Sequence, residues 1–186
     1  MDSKLFFRYR LYFTGIVTLV IWSLIAWDYY HGGIPAHHLL HDPALPSVSN
    51  AWGGLLLPVL TAYLLYRIQK RHQPTGEEQT IDLQNLKKAV TAFAISVFYA
   101  LIIALAFSFG YNAVSEFMFP ALLVLCLIFP LYRAEYYLGF VLGLTYFFGA
   151  VLPSGVGAVV VMISAVANFG LRPLLLKLKN SMFRSR

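Results

Sequence analysis

Residues 90–111 of the chain read VTAFAISVFYALIIALAFSFGY, without one charged side chain. A helix that crosses the hydrocarbon core of a bilayer needs roughly 20 mostly apolar residues, because lipid offers backbone N–H and C=O groups no partner. This stretch therefore predicts a transmembrane helix. The whole chain of 186 residues agrees, with 59% hydrophobic residues, 12% charged residues and a mean hydropathy of +0.69. Soluble domains carry about 25% charged residues, so the composition excludes a soluble globular protein and indicates an integral membrane protein.

Apolar stretches of similar character flank this one on both sides. The spans that we predict are 11–29, 51–68, 90–111, 117–132, 136–152 and 156–176. We expect an all-α bundle of six transmembrane helices that forms a single membrane domain over residues 1–186. The fourth and fifth stretches are short, and each is either a tilted helix or a half-helix. The first is too long for a signal peptide and lacks a small-residue cleavage site, so we interpret it as a retained span.

The placement of basic residues predicts the topology. All 14 Lys and Arg residues lie before the first span, in 67–88, at Arg133, or from Arg172 onward, and the other three connections contain none. By the positive-inside rule, both termini are cytoplasmic and the 30–50 connection is a structured extracytoplasmic loop. Short loops favour the bacterial inner membrane. Because the basic residues flank apolar blocks, the expected partner is the lipid bilayer and no nucleic acid.

The 30–50 connection carries four of the five histidines, in the segment DYYHGGIPAHHLLHDP at 28–43. The ionisable side chains expected outside, tyrosines apart, are four imidazoles and three carboxylates, with no basic side chain. Imidazole and carboxylate are ligands of Zn²⁺ and other divalent transition metals, whereas Ca²⁺ and Mg²⁺ prefer shells of oxygen atoms. We therefore predict a site for a divalent transition metal, zinc first among them. Its predicted ligands are His31, His37, His38 and His41, and its predicted catalytic carboxylates are Asp28, Asp42 and Glu116.

Spacing within the loop suggests how two of these ligands meet. Pro35 suits the first position of a short helix. If residues 35–41 are helical, His37 and His41 lie at i and i+4 on one face, which is a common way to place two imidazoles on one metal. The alternative is that the histidines bind no metal, lie at the membrane interface and form hydrogen bonds with carbonyl groups of the loop.

The carboxylates are expected at the mouth of the bundle. Asp28 and His31 are at i and i+3 near the end of the first span, and Glu116 opens the fourth span on the same side. We expect Glu116 to approach the loop once the helices pack. We also expect residues 28–50 to lie against the bundle, since exposed backbone at membrane depth needs protein partners.

Three functions remain open at this point. The first is a membrane metalloenzyme that acts on a lipid or lipid-linked substrate through a metal-bound water. The second is a transporter of cations or small solutes, or a metal-handling protein, and the third is a non-catalytic subunit or assembly factor. No carboxylate or lysine lies in the middle of a span, which counts against a proton-coupled transporter.

Two further predictions concern contacts between helices. Gly139 and Gly143 form a G-x-x-x-G pattern, which allows close helix packing. We expect that packing inside the bundle, and a homo-oligomer is the alternative. Arg133 and Glu135 are expected to form a local ion pair at a tight inner turn.

Overall fold

The computed structural model describes residues 3–38, 47–72, 83–171 and 173. These ranges contain six α-helices, which are α1 Ser3–Tyr30, α2 Gly53–His72, α3 Leu83–Ser108, α4 Asn112–Ile128, α5 Ala134–Phe148 and α6 Val151–Val166. A 3₁₀ turn over Asn50–Trp52 precedes α2, and a turn of π-helix over Ala167–Leu171 follows α6. Two three-residue strands, β1 Ala36–His38 and β2 Ser47–Ser49, pair antiparallel between α1 and α2.

The protein is helical, as predicted, and several of its helices suit a membrane. Four helical stretches are long and apolar enough to cross one, namely Lys4–Tyr30, Asn50–His72, Leu83–Ser108 and Val151–Gly170. The other two helices, α4 and α5, have 17 and 15 residues. These are the two that the sequence marks as short.

Contacts at both ends show that α1 and α2 are antiparallel. The Trp22 indole N–H donates to the Gly54 carbonyl oxygen over 2.9 Å, and the Arg10 guanidinium donates to Gln69 Oε1, also over 2.9 Å. Pro58 explains the first contact, because a proline has no N–H to donate to the carbonyl four residues earlier. Trp22 thus supplies the donor that Gly54 lacks within its own helix.

Helices α3 and α5 pack most closely and run parallel. A Cβ at Gly139 would lie 2.6 Å from the Phe93 carbonyl oxygen, and one at Gly143 would lie 2.6 Å from the Ala100 Cβ. Such approaches are open only to glycine. The glycine pattern therefore packs inside the bundle, which confirms the first of the two interpretations given for it.

Polar side chains hold α6 to the end of α4. Ser164 Oγ donates to the Cys126 and Phe129 carbonyl oxygens, each over 3.2 Å, and Asn168 Nδ2 reaches the Cys126 oxygen at 3.3 Å. Carbonyls in the last turn of a helix lack helical donors. These bonds satisfy two of them and join the two helices.

An ion pair joins the end of α2 to the start of α5. Arg71 Nη2 lies 2.8 Å from both carboxylate oxygens of Glu135. The predicted local pair between Arg133 and Glu135 is therefore wrong. Arg133 occupies the extended N-cap position and is exposed, whereas the antiparallel packing of α2 and α5 brings Arg71 to a buried Glu135.

The helix directions give the bundle two distinct ends. We name the end that carries β1 and β2 the hairpin end, and the opposite one, with the starts of α1, α3 and α5, the basic end. Between them lies an apolar core cluster made of Val17 and Ile21 of α1, Leu57 of α2, Val141 of α5 and Ala150, the N-cap residue of α6.

Candidate functional site

The last turn of α1 places two predicted site residues, Asp28 and His31. The helix ends there because Gly32 and Gly33 adopt positive φ angles of 124° and 97°, which other residues rarely accept. The Gly33 N–H donates to the Asp28 carbonyl oxygen over 2.9 Å, which closes the helix end. Asp28 and His31 thus sit one turn apart at the hairpin end, on a rigid element.

His31 is held in one orientation by Trp27. Its Nδ1 is 2.9 Å from the Trp27 carbonyl oxygen, and the two rings stack with centroids 3.8 Å apart at 13°. A carbonyl only accepts, so this bond requires the proton on Nδ1, and in a neutral ring Nε2 is then the nitrogen with the lone pair. Histidines that bind metals are commonly oriented in this way, through a bond from the other ring nitrogen to a carbonyl.

The backbone of two predicted ligands lies in the hairpin. Strand β1 contains His37 and His38, and the pairs across the strands are Ala36 with Ser49, His37 with Val48 and His38 with Ser47. The predicted helix over 35–41 is therefore wrong at 36–38, where the backbone is extended. The ladder gives these backbone groups partners, whereas a single isolated helical turn is costly to form. His37 is in a strand, so the helical spacing that was expected to bring His37 and His41 onto one face does not apply.

A cavity of about 550 Å³ lies next to the base of the hairpin. The Asn50 N–H donates to the Pro35 carbonyl oxygen over 2.9 Å, one step beyond the strand pair, and both residues line the cavity. Asp28 lines it too and is half-buried. We call this space the hairpin cavity. Its polar lining includes Asp28, Asn50 and Thr145, and its apolar lining includes Ile21, Leu24, Ile25, Trp27, Phe147 and Ala150.

Sequence reasoning missed the contribution of α5 to this cavity. Asparagine often caps helices, but here Ser49 caps the 3₁₀ turn before α2 by accepting from the Ala51 N–H over 3.2 Å. Asn50 packs instead against Gly149, where a Cβ would overlap its side chain. The sequence shows that Gly149 follows an apolar stretch, which is typical of a helix end. Nothing in the sequence indicates that this glycine packs against Asn50.

The predicted ligands are placed to different degrees. Asp28 and His31 are described in full, while only the backbone of His37 and His38 is described. His41 and Asp42 lie outside the described residues. Among the side chains that the structure describes, no group of three or more His, Cys, Asp or Glu residues could hold a metal ion. The metal site therefore stays a prediction.

Glu116 does not join Asp28 in the hairpin cavity. It lies on α4, where its side chain is exposed, and the described lining of the cavity does not include it. Helix α4 packs against α3 and α6 rather than against α1 and α2. A contact between Glu116 and residues 39–46 of the loop lies outside what the structure describes, so that expectation stays a prediction.

The electrostatics of the hairpin end favour a cation. The sequence places no Lys or Arg in 11–66, 89–132 or 134–171, and these ranges include every residue that lines the hairpin cavity. A carboxylate without a basic neighbour, set in a partly apolar cavity, gives a negative field that attracts positive charge. Asp28 and His31, three residues apart in the sequence, supply one oxygen and one nitrogen donor of the types that bind divalent metals.

Comparison of the chain with known proteins adds no relative, since no family model, no curated protein and no solved structure matches it. The function must be inferred from the chain itself.

Proposed function

We propose that the chain crosses the membrane six times, with both termini in the cytoplasm and the hairpin end outside. The packing directions support this topology, since α1 and α2 are antiparallel, α2 and α5 are antiparallel, and α3 and α5 are parallel. The basic residues of the helices gather at the opposite end, as the positive-inside rule requires. A multi-pass protein of the bacterial inner membrane fits these features.

We further propose that the hairpin end binds a divalent transition metal, zinc first, and that the metal serves an enzyme acting on a lipid or lipid-linked substrate. One observation carries this proposal. Half-buried Asp28 faces a cavity of about 550 Å³ whose rim, Pro35 and Asn50, is the base of the hairpin that carries His37 and His38. His31 is the described metal donor, His37, His38 and His41 are the donors that the loop would add, and Asp28 and Asp42 would be the catalytic carboxylates.

The shape of the hairpin cavity supports an amphipathic substrate. Its volume lies within the roughly 300–1,000 Å³ of small-molecule sites. One part of its wall is polar, and the other part includes Trp27 and Tyr146, whose rings are mostly exposed on the outside of the bundle. A lipid could therefore enter from the membrane and present its polar group to Asp28. A metal-bound water is a nucleophile near neutral pH, and Asp28 would serve as its general base.

Cation capture without catalysis is the second candidate, and the negative mouth of the cavity favours it. Transport across the membrane has less support. The residues between the cavity and the middle of the bundle form the apolar cluster that includes Ile21, Leu57 and Val141. A conducted ion needs a polar path, and this cluster closes the cavity instead.

Elemental analysis of the purified protein tests the metal site. We expect about one zinc per chain in the wild type, little in a His37→Ala/His41→Ala variant, and a reduced amount in Asp28→Asn. His72→Ala is the matched control, because His72 is the one histidine outside the loop and lies at the end of α2. Equal metal in all four proteins, or none in the wild type, would overturn the proposal.

A second measurement separates the enzyme from cation capture. Zinc-loaded wild type and Asp28→Asn are each incubated with vesicles made from total bacterial lipid, and the lipids are analysed by mass spectrometry. An enzyme consumes at least one lipid species in the wild type, and Asp28→Asn slows that loss by about a hundredfold, the scale of general-base catalysis. An unchanged lipid profile in a zinc-loaded sample would leave cation capture as the function.

A further inference from the structure

We infer that a groove at the basic end of the bundle binds one anionic phospholipid, with an acyl chain between α1 and α3 and the phosphate at Arg10. The groove, which we call the basic-end groove, has a volume of about 580 Å³. It is separate from the hairpin cavity, so this site is independent of the proposed metal site. Its lining comes from α1 between Phe6 and Ile16, from α3 between Leu86 and Phe93, and from α2 and α5.

The length of the groove matches one leaflet. Along α1 its lining runs from Phe6 to Ile16, which at about 1.5 Å per residue is roughly 15 Å. That is half of a hydrocarbon core of about 30 Å. The Arg10 guanidinium lies beside the Phe7 ring, near the basic end of this length, so most of the groove is left for an acyl chain. Phe13 and Phe93 meet edge to face across the groove, with ring centroids 6.1 Å apart, and link α1 to α3. A single acyl chain has the length and the apolar character that such a groove accepts.

The groove is apolar except for two tyrosines, Tyr9 and Tyr12, and two charged side chains, Arg10 and Glu135. Glu135 is paired with Arg71 at 2.8 Å, so its negative charge is already compensated. Arg10 has no carboxylate partner among the described residues. The charge that the groove offers a ligand is therefore positive, which favours an anionic head group over a cationic one.

Arg10 is held in a fixed position for a phosphate. Its Nη1 donates to Gln69 Oε1, and its guanidinium carbon lies 4.8 Å from the centroid of the Phe7 ring and 5.6 Å from that of Tyr66. A guanidinium has five N–H donors and binds phosphate oxygens in pairs. The Gln69 bond uses one of the five. Lys87, which is exposed and follows the lining residue Leu86, adds a second positive charge at the basic end.

Phospholipid retention tests this site. The protein is reconstituted in equal amounts of phosphatidylglycerol and phosphatidylcholine, extracted in mild detergent and weighed by native mass spectrometry. We expect one retained phosphatidylglycerol on the wild type and about tenfold less on Arg10→Gln, because a charge-assisted contact is lost. Arg67→Gln is the charge control, since Arg67 is a neighbouring arginine of α2 that does not line the groove.

A second pair of variants tests the groove itself and keeps the test decisive if Arg10→Gln fails to fold. Val90→Trp fills the groove and should abolish retention. Val59→Trp is its control, because the two valines are equally exposed, at 58% and 59%, and Val59 does not line the groove. Equal retention on both tryptophan variants would overturn the inference. Equal retention of the two lipids by the wild type would overturn it as well.

Discussion

The ion pair between α2 and α5 gives the sharpest test of the packing. In an Arg71→Met variant, Glu135 keeps its place in the first turn of α5 but loses the guanidinium that lies 2.8 Å from both of its oxygens. Its side chain is 2% exposed, so water cannot replace the lost partner. The variant therefore leaves a buried carboxylate without its charge partner.

The structure sets the size of the effect. Breaking a buried pair from one side costs about 3–5 kcal/mol. Arg71 is 37% exposed, so solvent already screens the pair, and we discount the cost to about 2 kcal/mol. Replacing both partners, in Arg71→Met/Glu135→Met, removes the buried charge as well, and this variant should lie within about 1 kcal/mol of the wild type. Arg133→Met, the control for the pair that the sequence suggested, should change stability by less than about 0.5 kcal/mol.

Unfolding in detergent, followed by tryptophan fluorescence, measures the free energies of the wild type and the four variants, with Glu135→Met completing the cycle. For a chain of this size, 2 kcal/mol corresponds to a drop of about 4–8 °C in the midpoint of thermal unfolding. The double variant should be more stable than the sum of the single changes predicts, and the difference is the coupling energy of the pair. Strictly additive changes, or a loss in Arg133→Met as large as in Arg71→Met, would refute this reasoning.

Three further predictions follow from the topology, the core and the loop. In a Cys126→Ser background, an impermeant thiol reagent should label Tyr30→Cys but not Lys87→Cys in intact cells, and the reverse pattern would invert the topology. The Thr61 hydroxyl is fully buried with no hydrogen-bond partner among the described residues. Thr61→Val should therefore stabilise the protein by about 1 kcal/mol in the same unfolding assay, and a loss of stability would reveal a partner. Zinc binding, measured by equilibrium dialysis, should weaken as the pH falls through about 6.5, where free imidazoles take up protons; affinity that is constant from pH 8 to pH 5 would argue against histidine ligands.

The apolar stretches predicted the helices better than they predicted where the helices end. The first span was expected over 11–29, but α1 covers Ser3–Tyr30 and so begins eight residues earlier, with basic residues in its first turns. The hydropathy of a segment indicates which residues suit the lipid core. A helix can extend beyond that core, because its backbone hydrogen bonds do not depend on lipid. The end of α4 was open to prediction from sequence, because Phe129 precedes Pro130 and residues before proline avoid the helical region. Its φ of −104° and ψ of 148° agree.

Helix α6 also begins earlier than its predicted span. The last span was expected from residue 156, after Pro153, yet α6 begins at Val151 and contains this proline. Proline is tolerated in the first turn of a helix, where its missing N–H would have had no helical partner. Pro153 therefore lies in the first turn of α6 without interrupting the helix.

The sequence predicted only those features of the candidate site that depend on residues close together in the chain. Asp28 and His31 were found because they are close in sequence and end a helix. The extended backbone at 36–38 depends on pairing with 47–49, which a helix pattern cannot reveal. Thr145 joins the cavity because α5 packs against α1 and α2 over a long sequence separation.

The hairpin cavity depends on helix packing more than on the loop above it. At the start of α2, a Cβ on Gly53 would lie 2.9 Å from the Ala150 Cβ, and one on Gly54 would lie 2.9 Å from Ile25 Cδ1. Ala150 and Ile25 both line the cavity, so these two glycines set how close its walls come together. Larger side chains there would force the helices apart, because at this distance something must shift. Changes in the loop can therefore remove ligands while the cavity persists, and for this reason the histidine variants test chemistry rather than folding.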